Sequence, residues 1–180
     1  MKVMLRLIVA LFFVFIIDAV SKVWTERNLS PFEPVEVLGN FFRLTLGYNT
    51  GVAFGMFSNG GNWPIYVTGG IILGLAVWFS RGLLIGHFPA WMAWPVGLLL
   101  GGALGNFIDR LPDGRVTDFL DVGIGTFRWP TFNLADSFIL IAVGLMMLST
   151  FGSEKKEPAS PLGAASSENS PDNLSTNQPL

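Results

Sequence analysis

Residues 5–24 read LRLIVALFFVFIIDAVSKVW, a run whose only polar side chains are Arg6, Asp18, Ser21 and Lys22. About 20 mostly apolar residues suffice for an α-helix to cross the hydrocarbon core of a bilayer. The run therefore predicts a transmembrane helix. Three further apolar stretches follow it, so the sequence predicts four transmembrane helices over residues 5–24, 65–84, 90–108 and 134–151. The fold class that we expect is a mainly α membrane protein.

The first run has a second interpretation as a cleaved signal peptide, because Lys2 and Arg6 precede its apolar part. Its bulky phenylalanines, such as Phe12, and the lack of a clear small-x-small cleavage site argue against cleavage. We therefore expect the run to remain as a helix. We take residues 1–151 as one membrane domain and residues 152–180 as a disordered cytoplasmic tail, because that tail is too polar to fold.

The composition narrows the chemistry that the chain can perform. Of its 180 residues 51% are hydrophobic and only 13% are charged, whereas about a quarter are charged in soluble domains. The net charge of −2, with basic residues scattered singly, argues against nucleic acid as a partner. The chain has no cysteine and a single histidine, His87, which excludes thiolate chemistry and disfavours a histidine metal site or a serine–histidine triad. We expect no metal and no cofactor, and acidic side chains are the chemistry that remains.

Basic residues near the chain ends indicate the orientation. A raw count of lysine and arginine does not orient four helices, but Lys2 and Arg6 lead the first helix, and Lys155 and Lys156 follow the last. Cytoplasmic flanks of membrane helices are enriched in these residues. We therefore place both termini in the cytoplasm.

Two long segments would then face the outside. Residues 35–57 partly alternate apolar and polar side chains, which predicts short strands at the membrane surface. Open strand edges cannot enter hydrocarbon, so these strands must pack at the interface. Residues 109–130 are polar and contain several glycines, which predicts an acid-bearing loop leading to the last helix.

Two motifs on the outer side have competing interpretations. Asp18 and Lys22 are four residues apart and share a helix face. A local ion pair is the simpler interpretation, with direct catalysis or binding of lipid headgroups by Lys22 as alternatives. The segment 49–55, NTGVAFG, is either a turn at Gly51 or an edge that holds an extended peptide through its backbone and Asn49.

Residues 101–110, GGALGNFIDR, combine small and polar side chains. The glycines predict close packing of helices. Asn106 and Asp109 are three residues apart on one face, so we expect them to hydrogen-bond across the bundle. Asp109 and the adjacent Arg110 suggest a structural ion pair.

Asp118 and Asp136 lie just outside apolar stretches, in GRVTDF (114–119) and at the end of FNLAD (132–136). A carboxylate beside hydrocarbon is costly unless it is hydrated, paired or protonated. Asp136 also suits the first turn of the last helix, where the helix dipole stabilises a carboxylate. Two carboxyl groups in close contact cannot both ionise, so such a pair holds one proton near neutral pH. It can then activate water and protonate a scissile carbonyl group.

Five motifs in this order resemble lipoprotein signal peptidase, the bacterial signal peptidase II family. They are Asp18-x3-Lys22, Asn49-Thr50-Gly51-x-Ala53-Phe54, Gly105-Asn106-x2-Asp109-Arg110, Gly114-x-Val116-x-Asp118 and Phe132-Asn133-x-Ala135-Asp136. The resemblance covers about residues 5–150. It implies a four-helix membrane bundle with a small extracytoplasmic β-cradle and a short surface helix.

The resemblance also implies an aspartyl endopeptidase of the bacterial inner membrane. Such an enzyme removes signal peptides from diacylglyceryl-modified prolipoproteins, just before the lipidated cysteine, with Asp118 and Asp136 as the catalytic dyad. Asp109 also lies in a family motif, but we prefer Asp118 because an ion pair with Arg110 can use Asp109. The expected partners are the prolipoprotein substrate and membrane lipid, and we expect a monomer with its active site toward the outer face. Substrate-binding or supporting roles fall on Asn49, Gly51, Asn106, Asp109, Arg110, Asn133, Asp18 and Lys22.

A small proton-coupled transporter is the alternative function. It would be expected to place acids near mid-membrane, whereas Asp18, Asp109 and Asp136 all lie toward the predicted outer side. A purely structural membrane protein would explain the glycines but not these acids. The Gly-x-Gly-Asp signature of presenilin-like proteases does not occur in the sequence.

Overall fold

A computed structural model describes residues 1–50 and 63–152 of the chain. The elements are helix α1 (Lys2–Asn28), strands β1 (Val35–Leu38) and β2 (Phe42–Asn49), helices α2 (Trp63–Leu84) and α3 (Ala93–Arg110), strands β3 (Val116–Ile124) and β4 (Phe127–Arg128), and helix α4 (Leu134–Gly152). A single 3₁₀ turn, Ala90–Met92, leads into α3. The described part is mainly helical and carries one small antiparallel sheet.

Three helices of the described ranges are long and apolar enough to cross a membrane: Lys2–Asn28, Ile65–Leu84 and Ala90–Arg110. The fourth apolar stretch, Leu134–Leu148, is shorter. The predicted positions agree with these helices to within a few residues. The number of membrane crossings, four, stays a prediction.

Helix α3 packs closely between α1 and α4 because glycines face both neighbours. A Cβ atom on Gly101 would lie 2.5 Å from the carbonyl oxygen of Leu11 on α1, and one on Gly102 would lie 2.6 Å from that of Ala135 on α4. No larger side chain fits at such distances, so the close packing predicted from the glycines is confirmed. An apolar cluster of α1, α2 and α3 adds to the core: Leu7, Phe79, Leu83, Ala93, Val96 and Leu100.

The four strands lie in the order β1-β2-β3-β4. Strands β1 and β2 occupy the first outer segment, where strands were predicted. In the antiparallel β2–β3 pair, Asn49 lies opposite Val116 and Gly47 lies opposite Asp118. This register brings the end of β2 beside the first acid of the candidate dyad.

The second outer segment differs from the prediction of a loop, because residues 116–124 form the long central strand β3. All but three of its residues are buried, and two of the buried ones are Asp118 and Asp121. Buried carboxylates are costly unless hydrogen-bonded. The strand was missed because those acids, which only their tertiary partners make tolerable, made the segment look like a polar loop.

Some predicted features lie beyond the described residues. They are Gly51, most of the segment 49–55, and residues 153–180 of the predicted tail. The short surface helix has no counterpart within residues 1–50 and 63–152 apart from the 3₁₀ turn at Ala90–Met92, which is distant in sequence from the sheet.

Candidate active site

The first turn of α4 positions Asp136. Asn133 precedes the helix, and its side-chain oxygen accepts a hydrogen bond from the Asp136 N–H at 3.0 Å. In return, the Asn133 N–H donates to Asp136 Oδ2 at 3.4 Å. This reciprocal arrangement is a capping box, which satisfies backbone donors that a helix start leaves unpaired. It also holds the Asp136 carboxyl group in the first turn of the helix, facing the Asn133 N–H.

The carboxyl group of Asp118, on strand β3 of the sheet, lies beside the same residue, Asn133. The Asp118 side chain is buried, and Asn133 Nδ2 donates to its Oδ1 at 2.7 Å. Burial raises the pKa of the Asp118 carboxyl from 3.8 to about 6; a hydrogen bond from the Asn49 side chain opposes the rise, and the nearby charge of Asp136 adds to it. Asp118 therefore keeps a proton to a higher pH than an aspartate in water does.

Asn106 connects the dyad to a buried cation. Its Oδ1 accepts from Lys22 Nζ at 2.9 Å and from Asn133 Nδ2 at 3.1 Å, while its Nδ2 donates to Asp136 Oδ1 at 2.7 Å. A lysine ammonium can only donate, so it requires the amide oxygen of Asn106 and leaves the NH₂ group for the Asp136 carboxylate. The predicted hydrogen bonds of Asn106 across the bundle are confirmed.

Lys22 is buried between two acids. Its Nζ lies 2.7 Å from Asp18 Oδ2, four residues earlier on α1, and 3.3 Å from Asp109 Oδ2 on α3. The predicted Asp18–Lys22 ion pair is thus present. The other oxygen of Asp18 accepts the Ala135 N–H at 2.9 Å, so α1 also caps the first turn of α4.

Asp109 does not pair with Arg110, so that prediction is wrong. Its Oδ2 faces Lys22 and accepts the Thr117 N–H at 2.8 Å, one residue before Asp118. Within the described residues, Arg110 Nε is buried and makes no hydrogen bond. Asp109 therefore supports the start of β3, and the geometry leaves Asp118 as the acid that shares Asn133 with Asp136.

An open groove leads from Asp136 along α4. It has a volume of about 510 Å³ and is lined by Val122, Trp129, Phe132, Asp136, Ser137, Leu140 and Ile141. Its walls are mostly apolar, with the carboxyl group of Asp136, the hydroxyl group of Ser137 and the indole N–H of Trp129 as the polar side-chain groups. A hydrocarbon chain therefore fits this groove better than a polar ligand does.

A second group of charges was not singled out from the sequence. Asp121 is buried on β3 and lies 2.7 Å from Arg43 on β2 and 2.6 Å from Arg128 on β4. Thr45 Oγ1 also donates to it at 2.9 Å. Burial favours a raised pKa of the Asp121 carboxyl, but the hydrogen bonds from Arg128, Arg43 and Thr45 outweigh it and the pKa is lowered. The sequence gives little signal for this group, because its members are far apart along the chain.

The described residues contain no group of three or more histidine, cysteine, aspartate or glutamate side chains placed to hold a metal ion.

Apolar helices beside two neighbouring acids, the buried Asp118 and the half-buried Asp136, define an integral membrane protein with a candidate hydrolytic site. Comparison with known proteins identifies the family: residues 10–152 match the model of Signal peptidase (SPase) II, and the chain belongs to this family. It is therefore a bacterial integral membrane peptidase, and membership favours the peptidase over the transporter.

Curated relatives cover most of the chain. The lipoprotein signal peptidase of Xanthomonas axonopodis pv. citri (strain 306) is 38% identical over 148 residues, which are 79% of this chain and 84% of the relative. That of Gloeobacter violaceus (strain ATCC 29082 / PCC 7421) is 37% identical over 143 residues, 79% of this chain and 80% of the relative. A bacterial membrane enzyme solved by the in meso method is 32% identical with a TM-score of 0.71, covering 86% of this chain and 93% of that one.

Proposed function

We propose that this protein is an aspartyl endopeptidase that removes signal peptides from diacylglyceryl-modified prolipoproteins, with Asp118 and Asp136 as its catalytic dyad. The observation that carries the proposal is the shared hydrogen-bond network of the two acids. Asn133 donates to Asp118 and caps the helix turn that carries Asp136, while Asn106 donates to Asp136. Family membership supplies the peptidase activity, and this network supplies the candidate chemistry.

The environments of the two acids support different starting roles. Asp118 is buried and its pKa is about 6, so it holds the shared proton and donates it to the scissile carbonyl oxygen. Asp136 is held by hydrogen bonds from Asn106 and from the Asn133 N–H, and we assign it the role of the general base that takes a proton from the attacking water. The roles then reverse as the leaving amine is protonated.

The groove beside Asp136 supports a lipid-modified substrate. Its apolar walls between β3 and α4 suit the diacylglyceryl chains, while the peptide bond just before the modified cysteine reaches Asp136 at the end of the groove. The curated relatives are named lipoprotein signal peptidases, which agrees with this substrate class. The same proposal places the protein as a monomer of four spans in the bacterial inner membrane, with both termini cytoplasmic and the dyad toward the outer face.

The roles of the supporting residues belong to this proposal. Asn106, Asn133, Asp18 and Lys22 position the dyad through the hydrogen bonds given above, and Asp109 holds the start of β3. Asn49 contributes a hydrogen bond to Asp118. Gly51 and Arg110 are proposed to contact substrate, on the family resemblance alone.

The test gives purified protein in detergent a diacylglyceryl-modified prolipoprotein and its unlipidated twin. We expect cleavage of the lipidated form only, and its loss in both Asp118→Asn and Asp136→Asn. Asp113→Asn is the matched control, because Asp113 is an exposed acid that pairs with Arg115. Cleavage of neither substrate, or activity surviving in both dyad variants, would contradict the proposal.

A further inference from the structure

The sheet ends in two adjacent turns that carry exposed apolar side chains. The β1–β2 turn and the β3–β4 turn touch each other: the Gly123 N–H donates to the Phe41 carbonyl at 3.0 Å, and Asn40 Nδ2 donates to the Gly125 carbonyl at 3.3 Å. We name residues 38–41 and 124–127 the hairpin tip. Its exposed large side chains are Leu38, Phe41, Ile124 and Phe127, and Ile124 and Phe127 each keep 77% of their surface accessible. Arg128 and the exposed Trp129 follow the tip directly in the sequence.

Nothing in the sequence of the two turns provides a charge at the end of the hairpin tip. Residues 37–42 read VLGNFF and residues 122–127 read VGIGTF. Contiguous exposed apolar surface of this kind marks an interaction site rather than an ordinary solvated turn. We therefore expect a partner to cover this apolar surface.

The position of the hairpin tip indicates that the lipid bilayer covers it. Val122 and Trp129 share one groove with Leu140 and Ile141 of α4, and both of these α4 residues are exposed. Leu140 lies six residues into an apolar helix, about 9 Å along its axis at 1.5 Å per residue. Val122 and Trp129, which flank the hairpin tip in the sequence, are thus level with part of the exposed apolar flank of α4, which faces lipid in an integral membrane protein.

The cations behind the tip are compatible with the same partner. Directly behind the tip, Arg43 and Arg128 share the single carboxylate of Asp121, and Glu36 of β1 lies opposite Arg43 in the sheet. Apolar side chains at the end and cations behind them match the order of acyl chains and phosphate groups in a leaflet. Trp129, next to Arg128 in the sequence, is exposed, and tryptophan is enriched where membrane proteins meet the lipid headgroups.

We propose that the hairpin tip is immersed in the outer leaflet of the bilayer, with Arg43 and Arg128 facing lipid phosphates. The sheet is then a membrane-inserted element beside α4 rather than a cover lying above the headgroups. This inference concerns the protein in its membrane and does not depend on the peptidase chemistry proposed above.

The absence of cysteine from the chain allows a direct test. Phe127→Cys and, separately, Ile124→Cys are labelled with an environment-sensitive NBD fluorophore and reconstituted in vesicles of phosphatidylethanolamine and phosphatidylglycerol. Ile16→Cys on the exposed face of α1 gives the lipid-facing reference, and Asp113→Cys gives the aqueous reference. Two tip positions keep the test valid if one variant fails to fold.

We expect blue-shifted emission from both tip labels and strong loss of their fluorescence when doxyl-labelled lipid is included, as for Ile16→Cys. Emission and iodide quenching like those of Asp113→Cys would overturn the proposal. Blue-shifted emission without doxyl quenching would also overturn it, because protein, such as a second copy of the chain, would then cover the tip. Adding Asp118→Asn to the labelled proteins is expected to leave these signals unchanged, so a failure of the proposed catalysis is distinguishable.

Discussion

Asn133 Nδ2 donates a hydrogen bond to Asp118 Oδ1 at 2.7 Å, so the residue that caps α4 also holds the carboxyl group carried by β3. This side-chain contact adds to the backbone hydrogen bonds between Leu120 of β3 and Phe132, which precedes Asn133. The two tasks of Asn133, capping the helix and holding the acid, can be separated by substitution.

Asn133→Ser is expected to keep the cap and lose the contact with Asp118, because a hydroxyl group can accept the Asp136 N–H but is too short to reach β3. Cleavage should fall while thermal stability stays close to wild type. Asn133→Ala should lose about 1 kcal/mol more, the usual cost of removing a helix N-cap. Cleavage rates and melting temperatures of the two variants check this, and equal activity of Asn133→Ser and wild type would contradict a positioning role.

Asp109 and Asp118 should respond differently to loss of charge. Asp118→Asn removes a proton donor and is expected to lower kcat by about 10²- to 10⁴-fold, the usual contribution of a general acid or base. Asp109→Asn keeps an oxygen for the Thr117 N–H and loses only its ion pair with Lys22, so we expect a much smaller decrease. Turnover measured side by side decides this, and the reverse order would move the dyad to Asp109.

Because the pKa of Asp118 is raised, ionising this buried acid lowers the free energy of unfolding at neutral pH. Below pH 3.8 both the folded and unfolded forms keep the proton, and stability from this group is lost as the pH rises through about 6. The rise of the Asp118 pKa from 3.8 to about 6 corresponds to a loss of stability on the order of 3 kcal/mol at pH 8.

Asp118→Asn should therefore melt at a higher temperature than wild type at pH 8, while the difference shrinks toward pH 4. For the same reason, kcat/KM of wild type should decrease as the pH rises above about 6, because the donor loses its proton. Melting curves and initial rates from pH 4 to 8 test both statements. A variant less stable than wild type throughout that range would refute the first.

The contribution of Asp121 to stability should show the opposite dependence on pH. Its lowered pKa means that its contribution is present above 3.8, the ordinary value, and is lost as the pH falls below it. Asp121→Asn leaves Arg43 and Arg128 without their carboxylate, and breaking a buried pair costs about 3–5 kcal/mol. Asp113→Asn breaks an exposed pair with Arg115 and should cost at most about 1 kcal/mol. Thermal unfolding at pH 7 should separate the two, and similar losses would count against the Asp121 cluster as a brace of the sheet.

Gly102→Ala tests whether the close approach of α3 and α4 sets the site. The added methyl group would meet the Ala135 carbonyl oxygen at 2.6 Å, so the first turn of α4 must shift and carry Asp136 with it. We expect lower activity and lower stability. Gly74→Ala on α2 is the control, because nothing lies within 4 Å of its added Cβ, and alanine should stabilise the helix there by up to about 1 kcal/mol. Indistinguishable behaviour of the two variants would contradict this account.

The sequence by itself determined the helices, the residues of the candidate site and the family resemblance. Apolar runs of sufficient length have few alternatives to a membrane helix, because each backbone group must find its partner within the segment. The acids and amides were likewise visible as polar residues at the ends of such runs. The local pattern of apolar and polar residues was enough to predict both the helices and the acids and amides at their ends.

Only the tertiary structure decided how those residues are paired. Asp109 pairs with Lys22 rather than with its neighbour Arg110, and β3 is a buried central strand although it carries two aspartates. Both outcomes depend on donors from distant elements that offset the cost of burying a carboxylate. Residues 5–24 predicted a membrane helix from their apolar side chains alone, but Asp18 and Lys22 within that run acquire their roles from α3 and α4, which no local pattern can specify.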